Sequence, residues 1–471
     1  MTSTILFLAA AMGSPVASGD TVVIANVTVI DMTGASPRPG MTVVIAGGRI
    51  RSVRAATPDE SRTSPVVDGT GKFLIPGLWD MHTHIWDREM LFPIYLAHGI
   101  TGIRDMGSPL ARWLEWRRDI AAGRVAGPRS VLAGPIVDGF RPFSFFFIQL
   151  TSPAEARDSV RALRDRGADF IKVYDRLERE VYLAIAAEAS RLGLPFAGHV
   201  PFGVKASEAA RLGQRSIEHL AGVALECSPA EDSLRSAALG ALRDAHADGL
   251  SNQEAGARLG RAYDLTRKDA LAGCTVDRAQ ALFQVFRNHR TWHVPTLVVR
   301  EDAGEEDLTS RLRGYFKYFP DYVHAMILPQ RESTPAEREA ARQRFQQKLD
   351  LVGAMFAAGV RILAGSDAPN PYSVPGLGLH HELAFLVQAG LTPGQALQAA
   401  TRDAAEFAGQ LDSLGTLEAG KVADLVLLDA DPLADIRNSE KIFAVVQGGR
   451  LLDRASLNAM LRALEERTAP R

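Results

Sequence analysis

Cysteine is nearly absent. The 471-residue chain has two, Cys227 and Cys274. Two cysteines cannot build a disulfide framework and match no zinc-ribbon spacing. One bridge and two free thiols both stay open. Net charge is nearly absent as well: 53 Lys and Arg stand against 55 Asp and Glu, a formal charge of −2. That balance lacks the basic surplus a phosphate backbone requires, so no nucleic-acid partner is expected. No apolar run is long enough for a transmembrane helix, so no membrane span is expected. Internal repeats and low-complexity tracts are missing too. Basic residues are absent before Arg38. The apolar stretch there is followed by small residues, with Val16 and Ser18 at −3 and −1 of a cleavage site. Residues 1–18 therefore read as a signal peptide, which predicts a periplasmic or secreted protein. The missing basic n-region keeps a cytoplasmic alternative open.

What is present is an ordinary globular composition, 46% hydrophobic and 23% charged. The length suits one large domain with an accessory one. Two β-rich runs near the start (22–31 and 41–50) have counterparts near the end (420–429 and 442–451), each pair including a Gly-Gly turn. Both termini are thus expected to build one small β-sandwich domain from residues 19–73 and 415–455. A C-terminal helix or tail follows over 456–471.

Between them, residues 74–414 alternate strand and helix signals. Apolar runs fall at 75–81, 100–105, 130–137, 169–174, 195–200, 216–220, 292–299 and 361–365, with helical patterns such as 153–166 and 178–192 between. Eight short strands, apolar on both faces and separated by helices, predict an α/β (β/α)8 TIM-like barrel. Helical insertions near 225–290 and 301–358 exceed what a barrel needs.

In such a barrel the chemistry belongs at the C-terminal strand ends. His82 and His84 end the first strand, and side chains at i and i+2 of a strand share a face. Lys172 lies in the fourth strand, His199 ends the fifth, His219 the sixth and Asp367 the eighth. Any one has a bland reading, such as a satisfied core histidine or a helix N-cap. Four imidazoles, an amine and a carboxylate at five strand ends are what a metal site demands.

The chain resembles the amidohydrolase superfamily, in the branch of imidazolonepropionase-related enzymes and metal-dependent Xaa-Pro and Xaa-Arg dipeptidases. The resemblance rests on residues 76–84 (Pro-Gly-Leu-Trp-Asp-Met-His-Thr-His), 99–107, 170–174 (Phe-Ile-Lys-Val-Tyr), Gly198-His199, Glu218-His219, Gly365-Ser366-Asp367 and 415–425. It implies a centre of two divalent metal ions, most often Zn2+. His82, His84 and Asp367 would hold one, His199 and His219 the other. Lys172 would bridge them as a carbamate formed with carbon dioxide. Burial beside positive charge depresses a lysine pKa and frees the amine to react. The implied reaction is cleavage of an amide-type C–N bond, in a dipeptide or N-acyl amino acid, by metal-activated hydroxide. Asp367 would relay the proton to the leaving amine.

Substrate contacts are expected from Tyr174, which shares the Lys172 face, from Arg104, suited to a carboxylate, and from His380. For Arg104 a structural pair with a neighbouring acid is an equal alternative. The Phe-rich loop 140–147 reads as a pocket wall, packed core or oligomer contact. His293 reads as a helix or loop contact. The same centre suits a cyclic-amide or lactone/ester hydrolase, and a barrel retired to a binding role is the non-enzyme alternative. The partner is a small-molecule or dipeptide substrate. Homo-oligomerisation is left open.

Overall fold

The computed structural model describes residues 21–57, 66–140, 146–246, 250–299, 312–328 and 334–468. Residues 1–18, most of the Phe-rich loop and parts of the second insertion (301–311 and 329–333) lie outside the described residues.

The barrel grows from parallel pairings. Leu78–Thr83 pairs with Ile100–Asp105, which pairs with Arg129–Leu132. Ile136–Asp138 pairs with Ile171–Val173, followed by Phe196–Gly198, Ser216–Glu218 and Trp292–Val294. The expected third strand is thus two segments, broken at Ala133-Gly134-Pro135, where proline removes a ladder donor. The eighth forms no regular ladder. It closes the ring through single bonds: Leu363 N to His293 O at 2.8 Å, Met81 N to Ala364 O at 2.9 Å and Asp367 N to His82 O at 2.7 Å. Gly365 permits that approach, because a Cβ there would lie 2.8 Å from His82 N. The paired strands of the barrel core are short and, except for the half-buried Arg129–Leu132, buried on both faces, as a helix-covered parallel sheet requires.

The helices follow their sequence patterns. Pro153–Asp165 opens on the Ser152 cap, with proline in its first turn, and buries Ala156, Val160 and Leu163 at four- and three-residue spacing. Arg179–Leu192 ends on Gly193 at φ 63, the left-handed cap that glycine adopts without strain.

Both chain ends share one eight-stranded sheet. Its path runs from Arg450–Leu452 through Ile442–Gln447, Leu425–Leu428, Phe73–Pro76, Val22–Val29 and Arg38–Ala46 to Arg49–Ala55, with Val66–Asp68 alongside Val22–Val29. The run expected as one first strand is therefore divided. Phe73–Pro76 belongs to this terminal sheet, and the chain passes at Gly77 into the barrel. The final helix, Arg454–Thr468, packs on Arg88–Ala97. No helix among the described residues is long and apolar enough to cross a membrane.

The first insertion forms helices Glu231–Ala245, Asn252–Tyr263 and Val276–Asn288, with a π-helical turn at Asp264–Asp269. Cys227 and Cys274 are bonded, which resolves the open choice in favour of a bridge and closes the insertion across 47 residues.

Candidate metal centre and cavity

His82, His84, Lys172, His199, His219 and Asp367 all line one cavity of about 820 Å³ at the C-terminal mouth of the barrel. The carboxylate of Asp367 is the hub. Its Oδ1 lies 3.4 Å from His82 Nε2 and 3.3 Å from His84 Nε2, and its Oδ2 lies 3.7 Å from His219 Nε2. Donor atoms of His82, His84 and Asp367 fall within 4.8 Å of one another. The Lys172 ammonium is 3.5 Å from His82 Nε2. The His219 ring sits 4.7 Å from those of His82 and His199, centroid to centroid.

Each imidazole is held from behind through its other nitrogen. His82 Nδ1 meets Glu218 Oε2 at 2.9 Å, and His84 Nδ1 meets the Gly107 carbonyl at 3.1 Å. His199 Nδ1 lies 2.9 Å from Asp175 Oδ2, and His219 Nδ1 is 2.6 Å from Thr296 Oγ1. Such backing fixes the tautomer and aims Nε2 forward, as in metal-ligating histidines generally. Both His199 nitrogens are buried without a well-directed hydrogen bond; Nδ1 has the Asp175 carboxylate beside it, while Nε2 has no partner among the described residues, a cost seldom tolerated unless something else fills that role.

The electrostatics agree. Burial drives the pKa of His82 and of His219 well below the ordinary value and lowers that of His199, leaving neutral rings with free lone pairs. Burial opposes protonation of His84, but Asp367 outweighs it and raises the pKa. Lys172, fully buried, is pushed down to about 8 by desolvation. Burial alone would raise Asp367, yet His82, His84 and Lys172 hold its pKa below the usual carboxylate value.

The backbone is bent to make this site. His219 (φ 58), Thr296 (φ 50) and Asp367 (φ 51) all adopt left-handed conformations without being glycine. Such residues cluster where surrounding structure over-determines a functional geometry. Asp80 anchors the turn before Asp367, accepting from Ser366 N at 2.8 Å and Ser366 Oγ at 2.5 Å.

Tyr174 is where its spacing places it, in the cavity wall and stacked on His199 with centroids 4.0 Å apart. Arg104 is not. It is wholly buried behind His82, donating from Nε to Met81 O at 2.7 Å, from Nη1 to Ser216 Oγ at 2.8 Å and from Nη2 to both Glu218 oxygens at 2.8 Å. The expectation of a substrate contact is corrected to the structural alternative, with Glu218 as the paired acid. His380 is corrected too: it is buried outside the cavity, between Ser439 Oγ at 2.9 Å and the His98 carbonyl at 3.0 Å. His293 lies within the Trp292–Val294 strand, its ring 4.4 Å from that of Phe286.

The sequence reading missed Glu218, Asp175 and Thr296, the backing residues. Glu218 carried one signal: a carboxylate inside a short, fully buried strand must be paired. It also missed the rest of the wall, which includes Trp86, Arg267, Leu271, Tyr322, Met326 and Lys348.

Residues 315–452 match the model of the Amidohydrolase family. An imidazolonepropionase from Shouchella clausii (strain KSM-K16) is 34% identical over 126 residues, 24% of this chain, and the match spans 28% of that relative's length. Among solved structures, a bottromycin amidohydrolase is 26% identical, with a TM-score of 0.72 over 95% of this chain and 91% of its own. A Bifidobacterium longum protein assigned as a prolidase is 24% identical, with a TM-score of 0.65 over 94% and 99%; it speaks to the fold alone. These matches support placement of the chain in the amidohydrolase superfamily.

Proposed function

We propose that this protein hydrolyses amide-type C–N bonds of dipeptide or N-acyl amino acid substrates at a binuclear metal centre. One observation carries the reading. Four imidazoles, each with a backing group at Nδ1, line one cavity with Asp367 and Lys172, and three of them turn Nε2 to the Asp367 carboxylate. That donor set of imidazole nitrogens, a carboxylate and a buried amine fits divalent metal, zinc foremost. His82, His84 and Asp367 would hold one ion, and His199 and His219 the other. Lys172 would bridge them as a carbamate: the neutral Nζ adds to carbon dioxide, one N–C bond forms and one proton leaves. Its lowered pKa supports that step. When bound, such ions acidify water and polarise a carbonyl.

The chain's own residues do the rest. Asp367, held ionised, accepts a proton from the attacking water and delivers it to the departing nitrogen, a poor leaving group unless protonated. Tyr174 and the apolar wall formed with Trp86 and Tyr322 orient the substrate and exclude water from the floor. Because this scaffold hosts many substrates, the fold alone does not choose among them. We further propose that the β unit made by the chain ends is a sandwich and that the chain is exported. The Cys227–Cys274 bridge supports export, since disulfides persist in oxidising compartments.

The test is a hydrolysis screen of zinc-loaded protein against dipeptides, N-acyl amino acids, cyclic amides and lactones. Turnover of the linear amides is expected. Turnover of lactones alone would replace the amide reading, and no turnover would remove it.

A further inference from the structure

The wall of the cavity differs from its floor in charge. Among the described residues, two cationic side chains besides Lys172 line it, Arg267 and Lys348, and Asp367 is the one carboxylate. Arg267 stands in an unusual place. It sits on the π-helical turn Asp264–Asp269, within the segment closed by the Cys227–Cys274 bridge. Single π turns inside helices recur at functional sites, because the wider turn re-aims a side chain.

The guanidinium is lightly engaged. Its closest acid is Asp175 Oδ2 at 3.5 Å, and it lies 4.7 Å from the centre of the Tyr263 ring. Its side chain is 46% exposed, against 0% for Arg104. Arg104 spends its donors on Met81, Ser216 and Glu218; the Arg267 guanidinium makes no hydrogen bond among the described residues. Arginine presents five N–H donors in a planar fork matched to carboxylate geometry, so Arg267 keeps most of that fork for a ligand. Asp175 touches both Arg267 and His199. The guanidinium is therefore one side chain removed from the metal-competent cluster. On the same wall Tyr322 and Met326, 54% and 42% exposed, are the exposed large hydrophobic residues among those described. Apolar surface left open in a cavity marks a place for an apolar group.

We propose that Arg267 receives the carboxylate of the substrate while Tyr322 and Met326 cover an apolar substituent, so that the enzyme selects amides carrying a free carboxylate and an apolar side. This rests on the hydrolytic reading for its reaction, but not for its recognition step. The role is specificity: Arg267 holds the anion and leaves the bond chemistry to the floor.

The probes are N-acetyl-L-phenylalanine and its primary amide, offered to the zinc-loaded full chain and to Arg267→Met and Arg267→Lys. Where the pair is hydrolysed, the preference is read as kcat/KM; where it is not, as Kd by calorimetry. A failed hydrolytic reading therefore still leaves this inference decided. The wild type should favour the acid about 10- to 100-fold, the range of charge-assisted hydrogen bonds. Arg267→Met should abolish the preference through KM or Kd, with zinc content and Tm unchanged, and Arg267→Lys should keep part of it. No preference in the wild type, a preference that survives Arg267→Met, an equal loss for acid and amide, or no binding of either would overturn it.

Discussion

The barrel floor and the disulfide-closed insertion use the same residue types to opposite ends. Behind His82 at the floor the polar groups are committed to one another. Arg104, Glu218, Ser216 and His82 form a buried chain in which each member fixes the next. In the insertion Arg267 is half exposed and bound to one acid at 3.5 Å. A saturated arginine behind a ligand sets geometry, and an unsaturated one in the cavity wall is available for recognition. Reaction and selection are thereby divided between two parts of the chain, and the division can be tested by variants that disturb one and spare the other.

Asp367→Asn should have the largest effect. It removes the proton relay and a metal-competent carboxylate, so kcat/KM should fall about 10²- to 10⁴-fold for every substrate, acid or amide. Steady-state kinetics on both checks this, and a loss confined to one would break the division. Arg104→Met comes next. It strands Glu218 as a buried charge, so the fold should lose about 3–5 kcal/mol in denaturant unfolding; an unchanged midpoint would show that the Arg104–Glu218 pair does not hold the fold. Glu218→Gln and Thr296→Val loosen the backing of His82 and His219. Each should weaken zinc affinity about 10- to 100-fold by competition with a chelator, leaving acid–amide preference intact.

On the other side, Cys227→Ser with Cys274→Ser frees the segment that carries Arg267. KM for carboxylate substrates should rise while kcat and zinc content hold; a fall in zinc content would join the two regions. The smallest effect concerns Glu382, buried and pushed up to about 8 from an ordinary value of 4.5 by desolvation. A raised carboxyl pKa gives stability that is complete below about 4.5 and lost as pH rises through about 8. Glu382→Gln should therefore match the wild-type Tm near pH 4.5 and exceed it above pH 8, by thermal scans across that range.

The same contrast explains what was legible in the sequence. His82, His84, Lys172, His199, His219 and Asp367 stand out because ligand-type residues at strand ends follow the period of the fold. Their backing is less visible. Glu218, Asp175 and Thr296 support histidines across turns and between strands, and no spacing rule reports such pairs. Arg104 was ambiguous for the same reason: at a strand end, burial decides between a structural ion pair and a ligand contact, and burial is a property of the closed barrel. The eighth strand read as a strand because it is apolar, although single bonds and Gly365 close the ring there. Arg267 was invisible because a π turn has no sequence pattern of its own, and the surrounding helices show only amphipathic periodicity.

Metal stoichiometry tests the central claim most directly. Full-length protein expressed with zinc, together with Lys172→Ala, should be measured by elemental analysis per chain after gel filtration. About two metal ions per chain are expected in the wild type, with loss from Lys172→Ala accompanied by loss of amide hydrolysis. A wild type that retains less than about one ion per chain, or a Lys172→Ala variant with unchanged metal and activity, would contradict that claim.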